Sequence, residues 1–121
     1  MADLYQVILM AWDVQNMAEF YRDVVGLKVT YPAPDASLED ENWIELDAGS
    51  VKLAIHGGGD IRGSGSLLLS IKVDDLDFTY WDLKKRGVDI QKPRQVWEGV
   101  KSAKARDPEG NTISFEQVTA S

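Results

Sequence analysis

The feature that most constrains this 121-residue sequence is an internal duplication. The segment "AWDV" at residues 11–14 precedes one helical pattern, and "VDDL" at residues 73–76 precedes another, so that Asp13 corresponds to Asp75. Each half predicts the same order of elements, namely a strand, a helix and three further strands. Two copies of one unit, each with an apolar face to bury, are expected to pack as pseudo-symmetric halves of a single domain.

The duplication also predicts the module boundaries. Residues 1–57 form the first module, residues 66–121 form the second, and the Gly- and Ser-rich residues 58–65 are a flexible connector. Asp13 is the predicted N-cap of the first helix and Gly26 its C-terminal stop. The predicted strands of the first module are "LYQVILMAWDV", "LKVTY", "NWIELDA" and "VKLAIH". Those of the second module are "SLLLSIKV", "DIQKP", "VWEGVKSAKARD" and "NTISFEQV".

Charge and composition argue against several partners. The formal net charge is −7 at pH 7, and a chain this acidic would repel a phosphate backbone, so we expect no nucleic acid partner. No apolar run reaches the roughly 18 residues that a membrane helix needs, so we expect no membrane association. The sequence contains no cysteine and no secretory signal pattern, which favours a cytoplasmic protein.

Side-chain alternation divides each predicted strand into two faces. One face, which includes Leu9, Ile55 and Phe115, is apolar and is expected to pack beneath the helices. The opposite face mixes apolar and polar side chains, which suits a small-molecule pocket, although a solvent-exposed sheet face would alternate in a similar way. The candidate ligand-binding residues on this face are Gln6, Met10, Trp43, His56, Ser70, Ser114 and Glu116.

Three segments of the chain resemble the vicinal oxygen chelate superfamily, which includes glyoxalase I, bleomycin resistance proteins and extradiol dioxygenases. The segments are "QVILMAWDVQNMAEFYRDVVGLKV", "IKVDDLDFTYWDLKKRGVDI" and "RDPEGNTISFEQ". The resemblance implies an α+β fold in which two βαβββ modules form a curled mixed-sheet cup with helices on the outer face. It also implies a homodimer, as in many members of the superfamily.

The resemblance further implies where metal-dependent members would carry their ligands. The four positions are Gln6, Ala54, Leu68 and Ser114. Ala54 and Leu68 have no donor atom, and a serine hydroxyl is a poor replacement for a carboxylate. We therefore expect the usual metal site to be absent, and no cofactor.

His56 and Glu116 are the two candidate catalytic residues. A lone histidine can act as a general base, and a carboxylate in a cavity can transfer a proton. The simpler interpretations are a histidine bonded to the loop at residues 57–59 and a carboxylate at the sheet rim. Together with Gln6 they form the alternative hypothesis, a displaced divalent-metal site in a lyase, isomerase or dioxygenase.

The leading hypothesis is a protein that binds an apolar or aromatic small molecule in the cup without a metal. Whether the protein is an enzyme stays open at this point. A third hypothesis is that the cup is filled by side chains and that the chain serves only as an assembly subunit.

Overall fold

The computed structural model describes residues 2–58 and 67–119. The chain divides into two compact units, Met1–Gly63 and Ser64–Ser121. Each unit has the element order βαβββ, which confirms the predicted α+β class and the duplication. Apart from Gly58, the predicted connector at residues 58–65 lies outside the described residues.

The first unit contains one four-stranded mixed sheet in the order β1-β4-β3-β2, with β1 parallel to β4 and the other pairs antiparallel. Its strands are β1 Gln6–Ala11, β2 Lys28–Tyr31, β3 Trp43–Asp47 and β4 Lys52–Gly57, and its helix is α1 Val14–Phe20. Parallel pairing of β1 with β4 is possible because the intervening helix and hairpin return the chain to the same end of the sheet.

The ends of α1 follow the predicted capping residues. The Asp13 carboxylate accepts a hydrogen bond from the backbone amide of Asn16 at 3.0 Å, as an N-cap does. After α1 the chain forms one π-helical turn, Tyr21–Val25, and stops at Gly26. Gly26 has a φ of 94°, a left-handed conformation that glycine adopts without a Cβ clash, so both end signals are confirmed.

The second unit repeats this arrangement with the sheet order β5-β8-β7-β6. Its strands are β5 Leu68–Lys72, β6 Arg94–Trp97, β7 Val100–Arg106 and β8 Thr112–Val118, and its helix is α2 Leu76–Lys85. Asp75 caps α2 by accepting from the amide of Phe78 at 3.0 Å, so it plays the part that Asp13 plays in the first unit. Of the helices in the described residues, none has the length and apolar character needed to cross a membrane.

Two predicted strands of the second unit are wrong. The segment "DIQKP" makes only an isolated bridge between Ile90 and Ala105, since Pro93 has no N–H to donate to a strand ladder. The segment "VWEGVKSAKARD" is not one strand but parts of β6 and β7, which form a hairpin. Gly99 has a φ of 73° in the intervening turn, a conformation that reverses the chain there.

The predicted apolar face is buried in the inner strands and less so at the sheet edges. Ile44, Ile55 and Phe115 are at most 1% exposed, whereas Val7 and Ile71 are only half-buried. On β1 this exposure is confined to the start of the strand, since Leu9 and Ala11 on the same face are at most 5% exposed.

Candidate functional site

The face of the first sheet opposite α1 brings three of the candidate residues into one row. Met10 on β1 and Trp43 on β3 both pair in register with His56 on β4, so the three side chains lie side by side. The Trp43 and His56 rings lie 5.5 Å apart between centroids at an interplanar angle of 64°. All three side chains are half-buried, so they form a wall of apolar and aromatic atoms that is still reached by solvent. We call these three residues the aromatic wall.

Glu45 holds the Trp43 side chain in place. The indole Nε1 of Trp43 donates to Glu45 Oε2 at 2.8 Å, and Lys52 Nζ donates to Glu45 Oε1 at 3.1 Å. These two bonds, the indole bond first, hold the pKa of the Glu45 carboxyl below its usual range because both stabilise the ionised form. Residues two apart on a strand share a face, so the "WIE" spacing is a signal that identifies Glu45 as a support for Trp43.

His56 is oriented by the backbone at the start of β3. Its Nδ1 lies 3.2 Å from the carbonyl oxygen of Asn42, which also accepts from the amide of Gly57 at 3.1 Å. A carbonyl can only accept, so this bond places the ring proton on Nδ1 and leaves Nε2 of a neutral ring as an acceptor. Of the two interpretations of His56, the simpler one named a bond to residues 57–59; the bond in the structure goes to Asn42, and Gly59 lies outside the described residues.

Gln6 shares this face but lies far from His56 along the strands. Gln6 pairs with Lys52, four residues before His56 on β4. At about 3.3 Å per residue, the offset between the two backbones is about 13 Å. The Gln6 side chain instead lies 3.4 Å from the Tyr5 hydroxyl, so the structure does not bring Gln6 and His56 together as ligands of one ion.

An open groove of about 810 Å³ adjoins the aromatic wall at Glu45. The exposed rings of Tyr5 and Tyr31 contribute to its lining, together with the carboxylates of Asp3 and Asp47. Among the described residues, its lining is Asp3, Leu4, Tyr5, Thr30, Tyr31, Glu45, Asp47, Gly49, Ser50, Val51 and Lys52. Strand alternation did not predict this groove, because about half of its lining comes from the N-terminal segment and a turn.

The second unit joins its three candidate residues through hydrogen bonds. Ser70 Oγ and Ser114 Oγ both donate to Glu116 Oε2 at 2.9 Å. Ser102 Oγ lies 2.6 Å from Ser114 Oγ, and Lys104 Nζ donates to Ser102 Oγ at 3.1 Å and to Ser114 Oγ at 3.5 Å. These five residues, which we call the polar cluster, come from β5, β7 and β8.

Ser102 and Lys104 are not among the candidate residues predicted from the sequence. Lys104 pairs with Ser114, and Ser102 pairs with Glu116, in the antiparallel ladder between β7 and β8. Residues opposite each other in such a ladder share a face, so a correct pairing of the two strands would have found both. The sequence prediction ran one strand through the turn at Gly99, so it did not give the pairing of β7 with β8.

The four positions implied for metal ligands do not form a set of donors for a divalent cation. Ala54 is fully buried and has no donor atom, and Leu68 has none either. The Ser114 hydroxyl is buried and already bonds Glu116 and Ser102. Within residues 2–58 and 67–119, no three side chains among His, Asp and Glu gather as ligands for a metal ion.

Two units of order βαβββ, each with a mixed sheet and a helix packed on one face, define a duplicated βαβββ protein. The sequence profile of the Glyoxalase/Bleomycin resistance protein/Dioxygenase superfamily matches residues 4–115. The chain therefore belongs to this superfamily, as the sequence resemblance implied.

Individual relatives agree with this assignment. The uncharacterized protein YraH of Bacillus subtilis (strain 168) is 31% identical over 130 residues, which cover 95% of this chain and 98% of that protein. A glyoxalase/bleomycin resistance protein/dioxygenase family enzyme from Burkholderia phytofirmans PsJN has a similar structure, with a TM-score of 0.80, 21% identity, and coverage of 97% of this chain and 99% of that one. TnmS3, an antibiotic binding protein from Streptomyces sp. CB03234, has a TM-score of 0.77 and 22% identity, with 98% of both chains covered.

Proposed function

We propose that the protein binds an aromatic small molecule, neutral or cationic, against the aromatic wall and without a metal ion. The single observation that carries this proposal is the bond that fixes the Trp43 ring to the Glu45 carboxylate. A large ring that is already held in one orientation loses little conformational entropy when a planar ligand packs on it. His56 lies beside that ring in register and Met10 lies on the other side of His56, so both would contact the same ligand.

The charge near the aromatic wall supports a ligand without negative charge. The adjoining groove is lined by three carboxylates, those of Asp3, Glu45 and Asp47, and by one ammonium group, that of Lys52. Potentials of opposite sign favour association, so this groove disfavours an anionic ligand. The antibiotic-binding protein TnmS3 shows that a chain of this fold can hold an organic ligand, which is consistent with the proposal.

Absence of a metal is part of the proposal. Ala54 and Leu68 supply no donor at two of the four implied ligand positions. The alternative, a displaced site in a lyase, isomerase or dioxygenase, requires Gln6 and His56 at one ion, and their strand positions are about 13 Å apart. We also retain a cytoplasmic location and a homodimer as part of the proposal, and light scattering on the purified chain would test the dimer.

The experiment is a fluorescence titration with proflavine, a planar cationic aromatic probe. The proposal expects saturable binding by protein treated with a chelator, and a Kd about tenfold weaker for Trp43→Ala, the loss that one aromatic stacking contact produces. The matched control is Trp81→Ala, which removes an exposed tryptophan from α2 and should leave the Kd unchanged.

Three outcomes would contradict the proposal. One is no saturable binding of proflavine, and another is equal weakening by the two tryptophan substitutions. The third is a stoichiometric divalent metal in the purified protein whose removal abolishes binding.

A further inference from the structure

The polar cluster of the second unit has a fixed direction of hydrogen bonding. A serine hydroxyl has one proton, and Ser114 gives its proton to Glu116. Ser102 must therefore be the donor in its 2.6 Å bond to Ser114, and its own oxygen accepts from Lys104. The chain of donors thus begins at an ammonium group and ends at a carboxylate, with two buried hydroxyls between them.

The two residues at the ends of this series of hydrogen bonds, Lys104 and Glu116, retain unused hydrogen-bonding capacity. The two serine bonds to Glu116 go to Oε2, and no residue in the described part of the chain donates to Oε1. Lys104 Nζ contacts Ser102 Oγ and Ser114 Oγ, which lie side by side, and no other acceptor among the described residues takes its remaining N–H groups. Lys72, the register neighbour of Glu116 on β5, is exposed and forms no ion pair with it within the described residues.

The spacing of the two ends is set by one hydroxyl. Lys104 Nζ lies 3.5 Å from Ser114 Oγ, which lies 2.9 Å from Glu116 Oε2. An acceptor-only group and a donor-only group thereby contact the same hydroxyl, and both side chains are partly reached by solvent. The complement of this pair is a ligand group with a donor and an acceptor on neighbouring atoms.

We infer that the polar cluster is a recognition site for a group that presents an N–H donor beside a carbonyl oxygen, of which a primary carboxamide is the representative. Glu116 Oε1 accepts from the amide N–H, and the free N–H of Lys104 donates to the carbonyl. Ser70 and Ser114 are positioning residues, because they fix Oε2 and so direct Oε1 to the ligand. All five residues belong to the second unit, so the inference does not depend on the aromatic wall.

The test compares benzamide with N,N-dimethylbenzamide, which keeps the ring and the carbonyl but has no N–H. Each probe is titrated into the ¹⁵N-labelled full chain, and backbone amide shifts at positions 102, 104, 114 and 116 locate the binding. We expect benzamide to bind about tenfold more tightly, the ratio that one hydrogen bond to a charged acceptor produces.

Variants separate the two ends of the site. In Glu116→Gln, Ser70 and Ser114 still donate to the side-chain oxygen, so the new amide NH₂ takes the place of Oε1. An NH₂ cannot accept from benzamide, so the ratio of the two Kd values is expected to fall to about one. In Lys104→Met, both probes lose the donor to their carbonyl. Both should therefore bind more weakly, while the ratio of their Kd values stays unchanged. Glu98→Gln removes the same charge from the exposed turn after β6 and should change neither value.

Several results would overturn the inference. Equal affinity of the wild-type chain for the two probes would do so, as would shifts confined to the Trp43 indole, which report the aromatic wall instead. A ratio that survives Glu116→Gln in a folded variant would remove Glu116 from the site. The comparison of the two probes uses the wild-type chain. It therefore tests recognition of the amide N–H even where a substitution prevents folding.

Discussion

Substitution of Trp43 by phenylalanine would separate the two contributions that the tryptophan makes to the first unit. Phenylalanine keeps an aromatic ring in the row with Met10 and His56 but has no N–H for Glu45. The substitution therefore removes one hydrogen bond to a carboxylate and a small part of the ring area.

The magnitude of the first contribution depends on the exposure of Glu45. A hydrogen bond to a charged group contributes about 1.5–3 kcal/mol when it is buried. The Glu45 side chain is 21% exposed and keeps its bond to Lys52. We therefore expect the Trp43–Glu45 hydrogen bond to contribute about 1 kcal/mol at pH 7, less than a buried bond would. The lost ring area adds about 0.5 kcal/mol, and this second part does not depend on pH.

The sign of the pH dependence follows from the lowered pKa of Glu45. A lowered pKa stabilises the fold above the unfolded-state value of about 4.3, and this stability is lost as the pH falls through the folded-state value. The difference in unfolding free energy between wild type and Trp43→Phe should therefore be largest at pH 7 and shrink below pH 4. The pKa of Glu45 in the variant should rise towards its usual range.

Urea unfolding at pH 7 and at pH 3, together with ¹³C NMR titration of the Glu45 carboxyl, measures both effects. The control is Trp81→Phe, since the Trp81 ring lies beside Lys85 rather than a carboxylate and should give the same small loss at both pH values. A loss of stability for Trp43→Phe that is equal at pH 7 and pH 3, with an unchanged pKa of Glu45, would refute the reasoning.

Three further sets of substitutions test the packing that supports the sites. Asp107 is 5% exposed and its carboxylate accepts from two backbone amides and from the Asn111 side chain, so Asp107→Ala should destabilise the fold by about 2 kcal/mol in thermal unfolding, and Asp107→Asn by less. A Cβ on Gly57 would lie 2.5 Å from Asn42 Oδ1 and 2.9 Å from Val14 Cγ2, so Gly57→Ala should cost about 1–2 kcal/mol in urea unfolding; an unchanged midpoint would contradict this packing. Ser114→Ala leaves the buried Ser102 hydroxyl without its acceptor and should cost about 1–2 kcal/mol, more than Ser102→Ala, because in the latter Lys104 still reaches Ser114; equal losses would contradict the donor order.

Local pattern was sufficient to predict which side of a strand each candidate residue occupies. Because successive side chains point to opposite faces, the amino-acid sequence of β3, β4 and β8 alone predicted that Trp43, His56 and Glu116 lie away from the buried face. The helix ends were equally local, since Asp13 and Gly26 act on residues within one turn. The duplication then extended these local predictions to the element order of both units.

The neighbours of each residue across the sheet depend on a different quantity, the register between strands. β1 and β4 are parallel and separated by 40 residues from Ala11 to Lys52, so nothing local states that Met10 lies beside His56 while Gln6 lies four residues away. A period of two fixes the face of a side chain but is unchanged when the partner strand slides by two residues. The register is selected by the burial of all apolar side chains on one face of the sheet together. That total burial exists only in the folded chain.

In the polar cluster, too, the sequence predicts the face of each residue and the tertiary structure decides its neighbours. Sequence alone placed Ser70, Ser114 and Glu116 on one face, because each strand reports its own alternation. The hairpin at Gly99 sets the pairing of β7 with β8, and this pairing delivers Ser102 and Lys104 to the cluster. Alternation along a strand is thus a property of the sequence. The hydrogen bonds that join three strands through three serine hydroxyls are a property of tertiary structure, because they require atoms from distant segments within about 3 Å of each other.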